Sequence, residues 1–158
     1  ERLLSDEDGG VRAAAVRAIA APESPLAAAP ESHGRIAALL ARALDDIAPV
    51  GIAAIEGFEG HAGALSLAPV RGVLSHPDPE VVQSAVRCLR RHGRAEDLQA
   101  LLPLLGHPHW AVRADAIQAL ADRGVRSALP PVLRHLEREH DEFVRDVLLR
   151  ALARLEEG

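Results

Sequence analysis

His107-Pro108-His109 sets two imidazoles two residues apart, and two further histidines, His76 and His140, sit at comparable places along the chain. Such groups could ligate zinc. Cys88 could act as a nucleophile, and the adjacent carboxylates Asp45–Asp46 and Glu156–Glu157 could work as an acid–base pair. Which of these chemistries is open depends on the elements that hold the side chains. Local motifs support none of them: there is no Gly-rich phosphate loop, no Gly-x-Ser-x-Gly elbow and no Cys-x-x-Cys pair. The chain is therefore not expected to be an enzyme, and no metal or organic cofactor is called for.

The positioning elements come from a repeat. Val112–Leu120 reads VRADAIQAL, and its spacing recurs in VRAAAVRAI from Val11, VGIAAIEGF from Val50, VVQSAVRCL from Val81 and VRDVLLRAL from Val144. Each copy is apolar at its first, fifth, sixth and ninth places, which share about 140° of arc on a 3.6-residue helix. Starts at 11, 50, 81, 112 and 144 give intervals of 39, 31, 31 and 32 residues. Each copy is read as the second helix of a hairpin, near 11–21, 48–59, 79–92, 110–122 and 142–155.

First helices precede the later copies: RIAALLARAL from Arg35, LSLAPVRGVL from Leu65, DLQALLPLLG from Asp97 and ALPPVLRHLE from Ala128. Pro130 and Pro131 suit a first turn, whereas Pro69 and Pro103 fall later and should bend or delay their helices. The long first interval contains APES twice, so residues 21–33 read as an inserted loop between repeats one and two.

Composition agrees with close helix packing. The 48% of hydrophobic residues are mostly Ala, Leu and Val, with two Phe, one Trp and no Tyr, Met or Thr, and nothing resembles an alternating strand. All 18 basic residues are Arg, a bias expected of a GC-rich genome. Inside this frame the candidate chemistry shrinks. Equivalent histidines on turns about 10 Å apart cannot share one zinc ion. Cys88 aligns with Ala18, Ala119 and Ala151 at a place kept small for packing, and the paired carboxylates sit at helix ends, where they cap and solubilise. Trp110, just before a second helix, reads as a packing residue at the turn.

A turn followed by VRxxAxxAL, clearest in HPHWAVRADAIQAL and DEDGGVRAAAVRAI, resembles the HEAT repeats, and more narrowly the short bacterial type of the phycobilisome lyase subunits. The expected fold is all-α, a right-handed α-solenoid of about five stacked helical hairpins, a HEAT-like superhelix whose first hairpin is incomplete. It forms one repeat domain over 1–158, with repeats about 1–21, 34–60, 63–93, 95–124 and 126–156. Because the chain starts at Glu1 and not Met, it reads as a fragment of a longer protein.

Arg12, Arg113 and Arg145 occupy the second place of their helices, at about 100° on the wheel and inside the apolar arc. Five residues before each starting Val stand Asp6, Asp45, His76, His107 and Glu139. The resemblance implies that an acid at this place pairs with such an arginine in a structural ladder between repeats, here built from Asp6, Arg12, Arg113 and Arg145. Gly51 and Val82 replace the arginine, and His76 and His107 the acid, so the ladder is expected to lapse near the centre.

The resemblance also implies that second helices line a concave side. Their seventh place, the most exposed on the wheel, carries Arg17, Glu56, Arg87, Gln118 and Arg150, and the eleventh adds Arg91, Asp122 and Arg154. This mixed-charge face suits polar recognition, so the expected function is a non-catalytic protein-protein interaction scaffold for an acidic extended or helical segment. Two alternatives come from the resemblance: a HEAT-like DNA glycosylase type of nucleic-acid binder, and a bilin-lyase-like subunit. A net charge of -5 and a pI near 5.9 leave no overall basic field for nucleic acid or an anionic membrane. A single cysteine, no apolar run near 18 residues and no signal-like start point to a reducing cytoplasm.

Overall fold

The computed structural model describes residues 2–21, 23–24 and 30–157. Nine α-helices lie among them: α1 Gly9–Ala20, α2 His33–Ala43, α3 Ala48–Gly60, α4 Ala68–Gly72, α5 Pro79–His92, α6 Ala95–Gln99, α7 Trp110–Asp122, α8 Leu129–Leu136 and α9 Glu142–Glu157. The described residues hold no strand, only an isolated bridge between Ala62 and Leu65. The fold is all-α, of the helical-repeat solenoid class. The long helices α1, α3, α5, α7 and α9 are the five second helices, each within about two residues of its expected bounds.

Proline explains why the first helices are short. Pro69, Pro103 and Pro130 each stand in the first turn of an element, where a missing N–H costs nothing. Pro69 holds back α4, which passes into a 3-10 turn over Val73–Ser75. Pro103 interrupts the segment after α6, which finishes as a 3-10 helix over Leu102–Gly106. The first repeat has only a 3-10 turn, Arg2–Ser5, before α1. Of the loop expected over 21–33, Glu23 and Ser24 lie in a turn and Pro30–Ser32 form a 3-10 turn; Pro22 and residues 25–29 lie outside the described residues.

The chain divides into two compact units, Glu1–Cys88 and Leu89–Gly158. In the first, α1 and α2 pack on α3 around Val16, Ile36, Leu40, Val50, Ile55 and Phe58, each at most 1% exposed. Small residues permit this approach: a Cβ on Gly57 would stand 2.7 Å from Leu40 Cδ2 and 2.9 Å from Ala20 Cβ. In the second, α7 packs on α9 and on the Leu102–Gly106 turn, and α8 on α9, around Leu101, Ile117, Leu120 and Leu148. Asp8 caps α1 by accepting the Gly10 N–H at 2.7 Å, and Asp141 accepts the Val144 N–H at 3.1 Å at the head of α9. Gly124, at φ 60°, ends α7 in the left-handed conformation that glycine adopts freely.

Candidate functional site

The second-place arginines are fixed by their own turns. Arg12 Nη1 donates to the carbonyl oxygen of Asp6 at 2.7 Å, Arg113 Nη1 to that of His107 at 3.0 Å and Arg145 Nη1 to that of Glu139 at 3.1 Å. Two of them then reach the next repeat. Arg12 donates through Nε and Nη2 to both oxygens of Asp46, at 2.8 and 2.6 Å. The pairing thus falls on Asp46 and not on Asp45, because Asp46 also accepts the Ile47 N–H that starts α3 and is held facing α1. The carboxylate of Asp6 instead accepts the Asp8 N–H. Arg113 grips Glu139 in the same forked way, at 2.7 and 2.9 Å.

Arg145 departs from the expectation of burial. It is exposed, and its guanidinium meets only the carbonyls of Leu136 and Glu139 among the described residues, because no further acidic turn lies beside it there. Glu139 is the opposite case, with its side chain only 4% exposed. Burial pushes its carboxyl up, but hydrogen bonds from Arg113, the Asp141 N–H and His135 prevail and lower it from 4.5 to about 2. Asp46 is likewise lowered, chiefly by its hydrogen bond from Arg12.

His76 and His107 fill the acid's place as turn formers. His76 Nδ1 accepts the Asp78 N–H at 3.0 Å and His107 Nδ1 the His109 N–H at 3.1 Å, as the Asp6 carboxylate does for Asp8. No three His, Cys, Asp or Glu residues come together as a metal site among the described residues. Cys88 is fully buried in α5. Trp110 is 47% exposed and meets Phe143, 57% exposed, edge to face at 5.5 Å, and His109 stacks with it at 6.1 Å. Phe143 escaped the sequence reading because it precedes the repeat's first place, where other copies carry small or polar residues.

All five seventh-place residues, Arg17, Glu56, Arg87, Gln118 and Arg150, are exposed, as are Arg91 and Arg154, while Asp122 is half-buried. Several are bound to one another or to neighbours. Arg17 donates to Glu56 at 2.8 Å across repeats one and two. Arg150 pairs with Asp146 one turn back on α9, and Asp122 is held between Arg90 and Arg154. Arg90 and Asp146 were not singled out from the sequence, though Asp146 to Arg150 is a plain i, i+4 spacing. Within the second unit, Gln118, Arg150 and Arg154 rim a shallow groove of about 130 Å³ whose floor is Ala121, Val147 and Ala151.

Five helical repeats, with arginine-carboxylate rungs between repeats one and two and between repeats four and five, define a helical-repeat protein of the solenoid class. The chain belongs to the HEAT-repeat family: the sequence model for HEAT repeats matches residues 67–153, more than half of its length. Solved structures are similar in fold. An engineered protein superposes with a TM-score of 0.61 at 22% identity, over 99% of this chain and 78% of that one. The complex of CpcE and CpcF of phycocyanin lyase from Nostoc sp. PCC7120 superposes with a TM-score of 0.65 at 18% identity, over 99% of this chain and 64% of that one. This chain thus spans less than two thirds of the lyase chain. No curated protein matches the sequence. No helix among the described residues is long and apolar enough to cross a membrane.

Proposed function

We propose that the chain is a non-catalytic scaffold of the cytoplasm that binds a segment of a partner protein on its second-helix face. The α7–α9 groove carries this reading: an apolar floor of small side chains with a glutamine and two arginines on its rim is a seat for a short polar-edged segment. The rim cations are already paired with Asp146 and Asp122, at surface pairs of the kind worth only ~0–1 kcal/mol. An acidic partner can therefore take over Arg150 and Arg154 at little expense. The same internal pairing weakens a nucleic-acid reading, since phosphate contacts need cations in excess. The phycocyanin lyase subunits share the fold alone, and no arrangement of residues on this chain favours a bilin.

Affinity capture with the full chain as bait tests the proposal, with Gln118→Glu combined with Arg150→Glu as the variant. The variant should lose the partner that the wild type retains, with helix content and melting temperature unchanged, because neither side chain packs in the core. If it keeps that partner while Trp110→Ala with Phe143→Ala loses it, recognition lies on the turns.

A further inference from the structure

Two stretches of the second unit, each where a second helix gives way to the next first helix, are basic. Arg90-Arg91-His92-Gly93-Arg94, at the end of α5, and Arg123-Gly124-Val125-Arg126, after α7, hold five of the 18 arginines and no acid. The corresponding stretches at the ends of α1 and α3, 18–32 and 58–67, hold no arginine. The fold ties the two basic stretches together. Arg123 donates through Nη1 to the Arg90 carbonyl at 2.6 Å and through Nη2 to the Gly93 carbonyl at 2.9 Å. Gln99 Nε2 joins the same linkers by donating to Ser127 Oγ at 2.6 Å, and Asp97, 5% exposed, accepts the Arg94 N–H at 2.7 Å.

Helix C-termini attract cations, but that accounts for only part of the cluster. Arg123 already answers the last carbonyls of α5, and Arg90 shares Asp122 with Arg154. Arg91 and Glu96 are engaged within the fold. Arg94 and Arg126 are left, both exposed and neither paired with an acid among the described residues. Both stand where a cation is unfavourable: Arg94 is the N-cap of α6, and Arg126 opens the 3-10 turn Arg126–Ala128 that runs into α8. The N–H groups at a helix start have no acceptor within the helix and repel a guanidinium. Folding therefore does not call for these two charges, and a local rule broken without compensation inside the fold marks a place of function.

We propose that this edge binds a short acidic segment of a partner protein, with Arg94 and Arg126 as its contacts, as a second surface that does not depend on the α7–α9 groove. The two arginines belong to linkers one repeat apart, about 10 Å, which an extended chain spans in about three residues, so carboxylates at i and i+3 fit. A guanidinium binds a carboxylate through two N–H groups, and linkers already tied to each other lose little freedom on binding. Glu156 and Glu157 end α9 on the same side and confine the basic stretch to these two linkers. With two unpaired cations at this edge of a chain of net charge -5, a DNA duplex carrying one charge per ~1.7 Å would meet acids beyond them, whereas a short acidic stretch would not.

Fluorescence anisotropy of a labelled deca-aspartate peptide, titrated with the full chain at low ionic strength, tests this. The wild type should bind the peptide, with an affinity that falls steeply as salt rises. Arg94→Glu with Arg126→Glu should weaken binding at least ~10-fold. Arg134→Glu with Arg138→Glu, the same change in charge at exposed places in α8 and just after it, should weaken it less than ~3-fold. Because the first pair of substitutions puts an acid at each helix start, that variant should melt no lower than the wild type, which separates lost binding from lost folding. Should it fail to fold, Arg94→Ala alone decides the matter by a loss of at least ~3-fold. A wild type that does not bind the peptide overturns the proposal, as does a control variant that binds as weakly as the first. So does a labelled single-stranded DNA decamer bound at least ~10-fold more tightly than the peptide through the same arginines, which would make the edge a nucleic-acid site.

Discussion

Glu139 concentrates most of the polar order of the second unit in one carboxylate, which accepts hydrogen bonds from both ends of the Arg113 fork, from His135 and from two backbone N–H groups. Its carboxyl is lowered in the folded chain, so its stabilisation is complete above pH 4.5 and is lost as the pH falls through about 2. That contribution is about 3 kcal/mol, at ~1.4 kcal/mol for each tenfold change in proton affinity. Arg113→Ala should destabilise by about 2–4 kcal/mol at neutral pH, and the difference from wild type should shrink as acid protonates Glu139. Urea unfolding at several pH values checks both statements; a difference independent of pH would mean that the rung is not ionic. Arg145→Ala, at an exposed site bonded only to carbonyls, should shift stability by less than about 1 kcal/mol in dilute solution. The placing of Arg113 was legible because an arginine inside an apolar arc needs an acid across from it. The choice of Asp46 over Asp45 was not, since it depends on which of two neighbouring carboxylates also meets the N–H that opens α3.

The helices show how far periodicity reaches. Second helices α1, α3, α5, α7 and α9 were legible to within about two residues because four apolar places in nine leave no other period. First helices were legible as segments but not as elements: Pro69 delays the start of α4, which ends in a 3-10 turn, and Pro103 separates α6 from the 3-10 helix that follows it. Glycine tests this packing account. Gly57→Val should cost about 1–3 kcal/mol, because its side chain would enter space held by Leu40 and Ala20 between α3 and its neighbours. Gly34→Ala in α2, with nothing within 4 Å of the added carbon, should gain ~0.5 kcal/mol from the unfolded chain's lost freedom. Thermal melts of the two variants should move in opposite directions; a Gly57→Val variant that melts no lower than the wild type would deny that α3 is pinned by small-residue contact.

At the scale of the molecule, 18 arginines sit in a chain of net charge -5, and the structure shows where that charge is used. Arg12 and Arg113 serve rungs, while Arg17, Arg90, Arg150 and Arg154 are matched to acids on the second-helix face. The sequence made that face legible as exposed and mixed in charge, but not as internally paired, because most of its pairs join residues more than thirty positions apart, as in Arg17 with Glu56. Partner binding at such a face should be weakly salt-dependent, since each new ion pair replaces an old one; a steep fall in affinity with salt would indicate unpaired cations at the contact. The most direct test is site-specific photo-crosslinking, with the photoreactive residue placed in turn at Gln118, Arg154, Trp110 and Leu133 and the chain offered to its native lysate. The account predicts that one and the same partner is captured from Gln118 and Arg154 on the second helices, and not from Leu133 on the first-helix side. Capture from Trp110 or Leu133 alone would contradict it and place recognition on the turns or the first helices.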